Sequence, residues 1–155
     1  MSDLDVVRLF IGSAFVLGQT AITQTVAIMT RFRNLAGDPL WLPNGKIHVM
    51  SLEANIHTAT GFSTIALYDA VANYFMHHHE WPSDWSSATV AQHRTIHMVL
   101  KLGLVSEGED NLNVALQNLD LSLTNMSHMG NEIQDWRDRL AGSLRTQLKE
   151  HGLDK

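Results

Sequence analysis

The chain has 155 residues, 45% of them apolar and 17% charged, with a net charge of −5 and no cysteine. Those totals describe one folded domain over residues 1–155 with enough apolar material for a core. They exclude disulfides and thiolate ligands and agree with a cytoplasmic protein. The acidic balance argues against nucleic acid, which calls for clustered Lys and Arg. The nine histidines exceed the roughly three that ordinary usage would give.

The predicted elements are all helical. Ser2 and Asp5 read as a capping box opening a helix over about 3–35, which Gly37, Asp38 and Pro39 end. Its opening Met-Ser-Asp-Leu-Asp lacks the basic region of a secretory signal. From Leu9 to Thr30 there is no charge, a length that can span a bilayer. Ser13, Gln19, Thr20, Thr23, Gln24, Thr25 and Thr30 are too polar for a lone helix in hydrocarbon, so the chain is not expected to be transmembrane. Val7, Phe10, Ala14, Leu17, Ala21, Ile28 and Phe32 form an apolar stripe. The helix is expected to be buried on most sides, in a bundle or an oligomer, with contact to an apolar surface as the alternative.

Pro43-Asn44-Gly45 is a turn signal, and Leu40, Trp41 and Leu42 before it are expected to fold over a bundle end. A second helix is predicted over 46–78, with Gly61 inside it as a place of close approach. Pro82 ends that run. Ser86 or Ser87 is expected to cap a third helix over 87–105. The acidic turn Ser106–Asp110 leads to the longest run. There Leu112, Leu116, Leu119, Leu123, Met126, Ile133, Trp136, Leu140, Leu144 and Leu148 recur at spacings of three, four or seven. This predicts one heptad-like C-terminal helix over 110–150, with any kink at Gly130. The expected fold is therefore a long, antiparallel four-helix bundle. The first helix is too apolar, and the third too short, for one chain to cover everything, so a homo-oligomer, most simply a dimer, is expected.

Candidate chemistry centres on histidine. His93 and His97 are one helical turn apart and can ligate one metal from a single face. That face lies beside Ile96, Val99 and Leu100, which the helix must bury, so both imidazoles are expected near the bundle interior. Glu53 with His57, and His128 with Glu132, repeat the spacing. Counting residues from the turns puts His128 at the level of His93 and His97 and leaves Glu53 some ~27 Å away. His93, His97 and His128 are thus the candidate metal residues. Iron, zinc, manganese or haem would suit such donors, in an oxygen carrier or oxidoreductase. The competing reading is of scattered helix-surface and buried histidines. No nucleophile motif or phosphate loop is present, so an enzyme is the poorer expectation.

Val26-Ala27-Ile28-Met29-Thr30-Arg31-Phe32, a short Pro-containing loop, and then Val49-Met50-Ser51-Leu52-Glu53-Ala54 form a skeleton that resembles the phasin-like proteins, helical proteins that coat polyhydroxyalkanoate granules. The likeness covers residues 20–60, and Ala54 stands where a Lys usually follows the Glu. It implies a non-catalytic protein associated with an apolar surface or granule, forming oligomers through heptad-like helices, and carries over no catalytic residue.

Overall fold

A computed structural model describes residues 3–36, 44–122 and 124–153. Among them the chain is all-α, as expected, with no strand and a single isolated bridge, Ile56 to Ser63. The helices are α1 (Asp3–Ala36), α2 (Lys46–Ser51), α3 (Thr64–His77), α4 (Val90–Lys101), α5 (Asn111–Asn118) and α6 (Ser127–Glu150). Short 3₁₀ turns at His78–Glu80 and Trp85–Ser87 separate α3 from α4. The readings that rest on Ser2, Gly37–Pro43 and Leu123 lie outside the described residues.

The centre is α3. Ile65 through Ala72 are all buried, and so is Tyr74. Ser63 opens this helix: its hydroxyl accepts from the Ala66 N–H at 3.1 Å while donating to the Met50 carbonyl at 2.9 Å. α1 makes its broadest contact with α3, and α4 packs on α3 as well. α6 meets α1 where Gly18 leaves room. A Cβ there would stand 3.1 Å from Ile133 Cδ1 and 3.3 Å from Met129 Cε. Close approach thus falls at Gly18, and Gly61 instead turns a loop at φ +75°.

Two of the four expected helices are broken. The run over 46–78 stops at Ser51: Leu52 becomes extended and Glu53 turns left-handed at φ 56°. Residues 55–64 then form a hairpin-like loop. The His57 N–H donates to the Phe62 carbonyl at 2.8 Å, and the Thr64 N–H to the Asn55 carbonyl at 2.9 Å. The run over 110–150 is broken as well. α5 ends where Asp120 adopts φ 56°, and the Leu121 N–H closes back on the Leu116 carbonyl at 2.8 Å, a Schellman ending with aspartate in place of glycine. Gly130 lies inside α6 and marks no break. The apolar stripe survives the interruption. Leu112, Leu116, Leu119, Ile133, Trp136, Leu140 and Leu144 are all buried, but from two helices. α4 is shorter than expected. Thr89, not Ser86 or Ser87, caps it in a capping box with Gln92, and Gly103 at φ 93° ends it.

One face of α6 holds the broken segment in place. Trp136, fully buried, donates Nε1–H to the Leu52 carbonyl at 2.9 Å. Arg139 donates Nε–H to the Glu53 carbonyl at 2.7 Å. Trp136→Ala is expected to cost about 3–5 kcal/mol of unfolding free energy. Trp136→Phe, which keeps most of the bulk but strands the Leu52 carbonyl, should cost about 1–3 kcal/mol. Urea titrations followed by circular dichroism measure both; a Phe variant as unstable as the Ala variant would show that the hydrogen bond is not what the indole contributes.

Candidate functional site

His93 and His97 stand on α4 a turn apart, as the spacing requires, but on its exposed side. The helix buries Ile96, Met98 and Val99, while Leu100, expected inside, is half exposed. The His97 ring meets the Phe62 ring edge-on, 5.5 Å between centroids. His128 is exposed in the first turn of α6. The expectation that the α4 imidazoles lie near the interior is therefore corrected: the apolar face of α4 is narrower than its sequence suggests. Among the described residues, no three His, Asp or Glu side chains gather closely enough to hold a metal ion.

The other histidine and carboxylate candidates bind the protein itself. Glu53 is exposed, and its contribution is the carbonyl that Arg139 reaches. His57 faces the Asn118 carbonyl through Nε2 at 2.7 Å and the Thr60 hydroxyl through Nδ1 at 3.1 Å. A carbonyl can only accept, so Nε2 carries the proton and Nδ1 takes the hydroxyl's. His57 thus joins the 55–64 loop to the C-terminal end of α5.

Glu132 is the most heavily bonded carboxylate. Oε1 accepts from the Thr64 hydroxyl at 2.5 Å and from Asn55 Nδ2 at 3.2 Å, and Oε2 from the Tyr68 hydroxyl at 2.6 Å. Desolvation opposes its charge. The bonds from Thr64, Tyr68 and Asn55, helped by the charge of His128 one turn away, outweigh that and hold the carboxyl below its ordinary range. Burial, and then the bond to Glu132 and its charge, push the Tyr68 phenol far above its own. The pair is consequently a fixed phenol donor on a fixed carboxylate, a structural clamp between α3 and α6.

What the chain leaves open is a face of α1. Ile11, Phe15, Ile22 and Met29 enter the core. The stripe marked by its sequence lies mostly on another side of the helix. Phe10 is 71% exposed, Leu17 71%, Ile28 51% and Leu35 75%, with Leu9 and Phe32 exposed beside them. The expectation of a helix buried on most sides is corrected for the single chain: a second, outward stripe remains. A shallow groove of about 520 Å³ runs along its N-terminal half, between Leu9, Val16 and Leu17 on α1 and Phe75 and Met76 on α3. The hydroxyls of Ser13, Thr20, Thr25 and Thr30 each donate to the carbonyl four residues back, at 2.7–2.9 Å. These four hydroxyls are thus satisfied within the helix. Val6–Leu35 is also long and apolar enough, by length and composition, to cross a membrane.

No protein-family model, no curated protein and no solved structure matches this chain.

A carboxyl held below its unfolded value adds stability above the ordinary glutamate pKa of about 4.3 and loses it as pH falls through the folded value. Glu132→Gln is therefore expected to destabilise the protein at pH 7, and the two stability curves should converge as the pH drops below about 4. Denaturant titrations at intervals between pH 7 and pH 3 read this; a constant gap between the curves would contradict it.

Proposed function

We propose that the protein is a non-catalytic interaction or structural protein whose working surface is the outward apolar stripe of α1. One observation carries this reading: Phe10, Leu17, Ile28 and Leu35 stand in water along a single line of one continuous helix. Taking about 200 Å² for each large side chain, the exposures of these four with Leu9 and Phe32 leave roughly 700 Å² of apolar surface uncovered. Monomeric soluble proteins rarely expose more than about 300–600 Å² in one patch. Two further groups that the sequence offered for chemistry, His57 and Glu132, spend their bonding capacity on the fold. The resemblance to phasin-like proteins points the same way, toward association with an apolar surface or granule by a cytoplasmic protein. The inward stripe supports a peripheral role over a spanning one, because Ile11, Phe15, Ile22 and Met29 tie the helix to the core along most of its length.

The purified protein should co-sediment with polyhydroxyalkanoate particles, and Leu17→Gln combined with Ile28→Gln should lower the bound fraction about tenfold, as expected when central apolar anchors of a contact are removed. Both positions are exposed, so the circular dichroism spectrum should not change. Equal sedimentation of the two proteins would count against surface association through α1.

A further inference from the structure

The outward face of α1 has an internal order. Phe10, Ala14, Leu17, Ala21, Gln24, Ile28, Arg31 and Leu35 follow one another at alternating spacings of four and three, the seam of a coiled coil. Phe10, Leu17, Gln24, Ile28, Arg31 and Leu35 are exposed, and the two alanines are half-buried. The seam is also complementary to its own reverse. In an antiparallel pair that sets residue n opposite residue 45 − n, Phe10 meets the second copy's Leu35 and Leu17 meets its Ile28. Ala21 meets Gln24, and Ala14 meets Arg31. Every layer joins two large apolar side chains, or one small side chain and one long one.

A parallel pair does the opposite. It stacks Ala14 on Ala14 and Ala21 on Ala21, leaving gaps, and puts Arg31 against Arg31 in one layer, where like charges repel. In the antiparallel pair the Arg31 stem lies across Ala14 and its guanidinium reaches the rim. The stripe also has the size a dimer needs. With Leu9 and Phe32 on its flanks, its roughly 700 Å² of exposed apolar surface is close to the ~800 Å² that each partner buries in a stable interface. The self-satisfied hydroxyls of Ser13 and Thr20 alongside can be covered without losing a hydrogen bond.

We propose that the occupant of this face is α1 of a second copy, packed antiparallel about a two-fold axis between Ala21 and Gln24. The proposal rests on the reading of the stripe as the contact surface and names what covers it in solution.

Because the chain has no cysteine, introduced thiols report the register directly. Leu17→Cys and Ile28→Cys variants, carrying different tags, would be mixed and treated with a short bis-maleimide. The expected result is a cross-link between the two variants at least about tenfold stronger than either gives alone, since the same position in the two copies lies about 16 Å apart along the axis. The wild type should run in sedimentation velocity at about twice 17.3 kDa, and Leu17→Gln with Ile28→Gln should raise the dimer Kd about 100-fold or more at an unchanged circular dichroism spectrum. A wild-type monomer at micromolar concentration overturns the proposal, and so does a cross-link formed best by Leu17→Cys alone, which indicates the parallel pair. If that monomer still loses particle binding on the double Gln substitution, the contact-surface reading stands and only its occupant is wrong. If the Gln variant dimerises and binds particles as the wild type does, both readings fall.

Discussion

The fold depends on one face of α6 gripping a segment that has no regular structure of its own. Between α2 and α3 the chain leaves the helix for twelve residues, 52–63, and exposes carbonyls that a helix would have used. Glu132, Trp136 and Arg139 stand at i, i+4 and i+7 on α6 and all three meet that segment. Arg139 and Trp136 take the carbonyls at the break, and Glu132 takes the side chains of Asn55, Thr64 and Tyr68 at the other end. The part-buried Leu52 carbonyl would cost about 1–3 kcal/mol without a donor, so docking of α6 stabilises the break. His57 adds a second tie, from the same loop to the end of α5.

This arrangement explains why the polar residues cluster where they do. A phenol on a carboxylate and an imidazole between a carbonyl and a hydroxyl are combinations that catalytic sites also use. Here each partner is filled by the protein, and the groups join helices instead of facing a ligand. The aromatic end of the molecule follows the same logic. Tyr74 stacks on His78 and meets Trp81 and Trp85 edge-on, while its hydroxyl accepts from Asn111, which in turn bonds both backbone groups of Val105. Buried polarity is spent on fixing the connections between short helices, and the apolar surface left over gathers on the long one.

That surplus follows from a mismatch of lengths. α1 has 34 residues, about 51 Å, whereas α3, its main neighbour, has 14. The short helices line one side of α1 and cannot wrap it. A helix with apolar residues on two faces and neighbours on one must leave a stripe in water or cover it with something else.

The sequence alone determined that the chain is helical, that α1 spans its whole predicted range, and that Leu112, Leu116, Ile133, Trp136 and Leu140 belong to the core. These follow from local periodicity, which is written in the residues themselves. It could not place the breaks at Glu53 and Asp120. Neither is glycine or proline, and both adopt φ 56° in a segment whose freed backbone groups are satisfied from outside or by a Schellman closure. Periodicity runs unbroken through such a point, because the stripe on both sides faces the same core. Nor could it choose between the two stripes of α1. Phe10, Leu17, Ile28 and Leu35 are as apolar as Ile11, Phe15, Ile22 and Met29, and which set turns inward depends on the side where α3 packs and where α6 closes against Gly18. His93 and His97 were legible as a pair sharing one helical face but not as exposed, because that depends on which side of α4 meets α3, a choice made by tertiary packing and not by spacing.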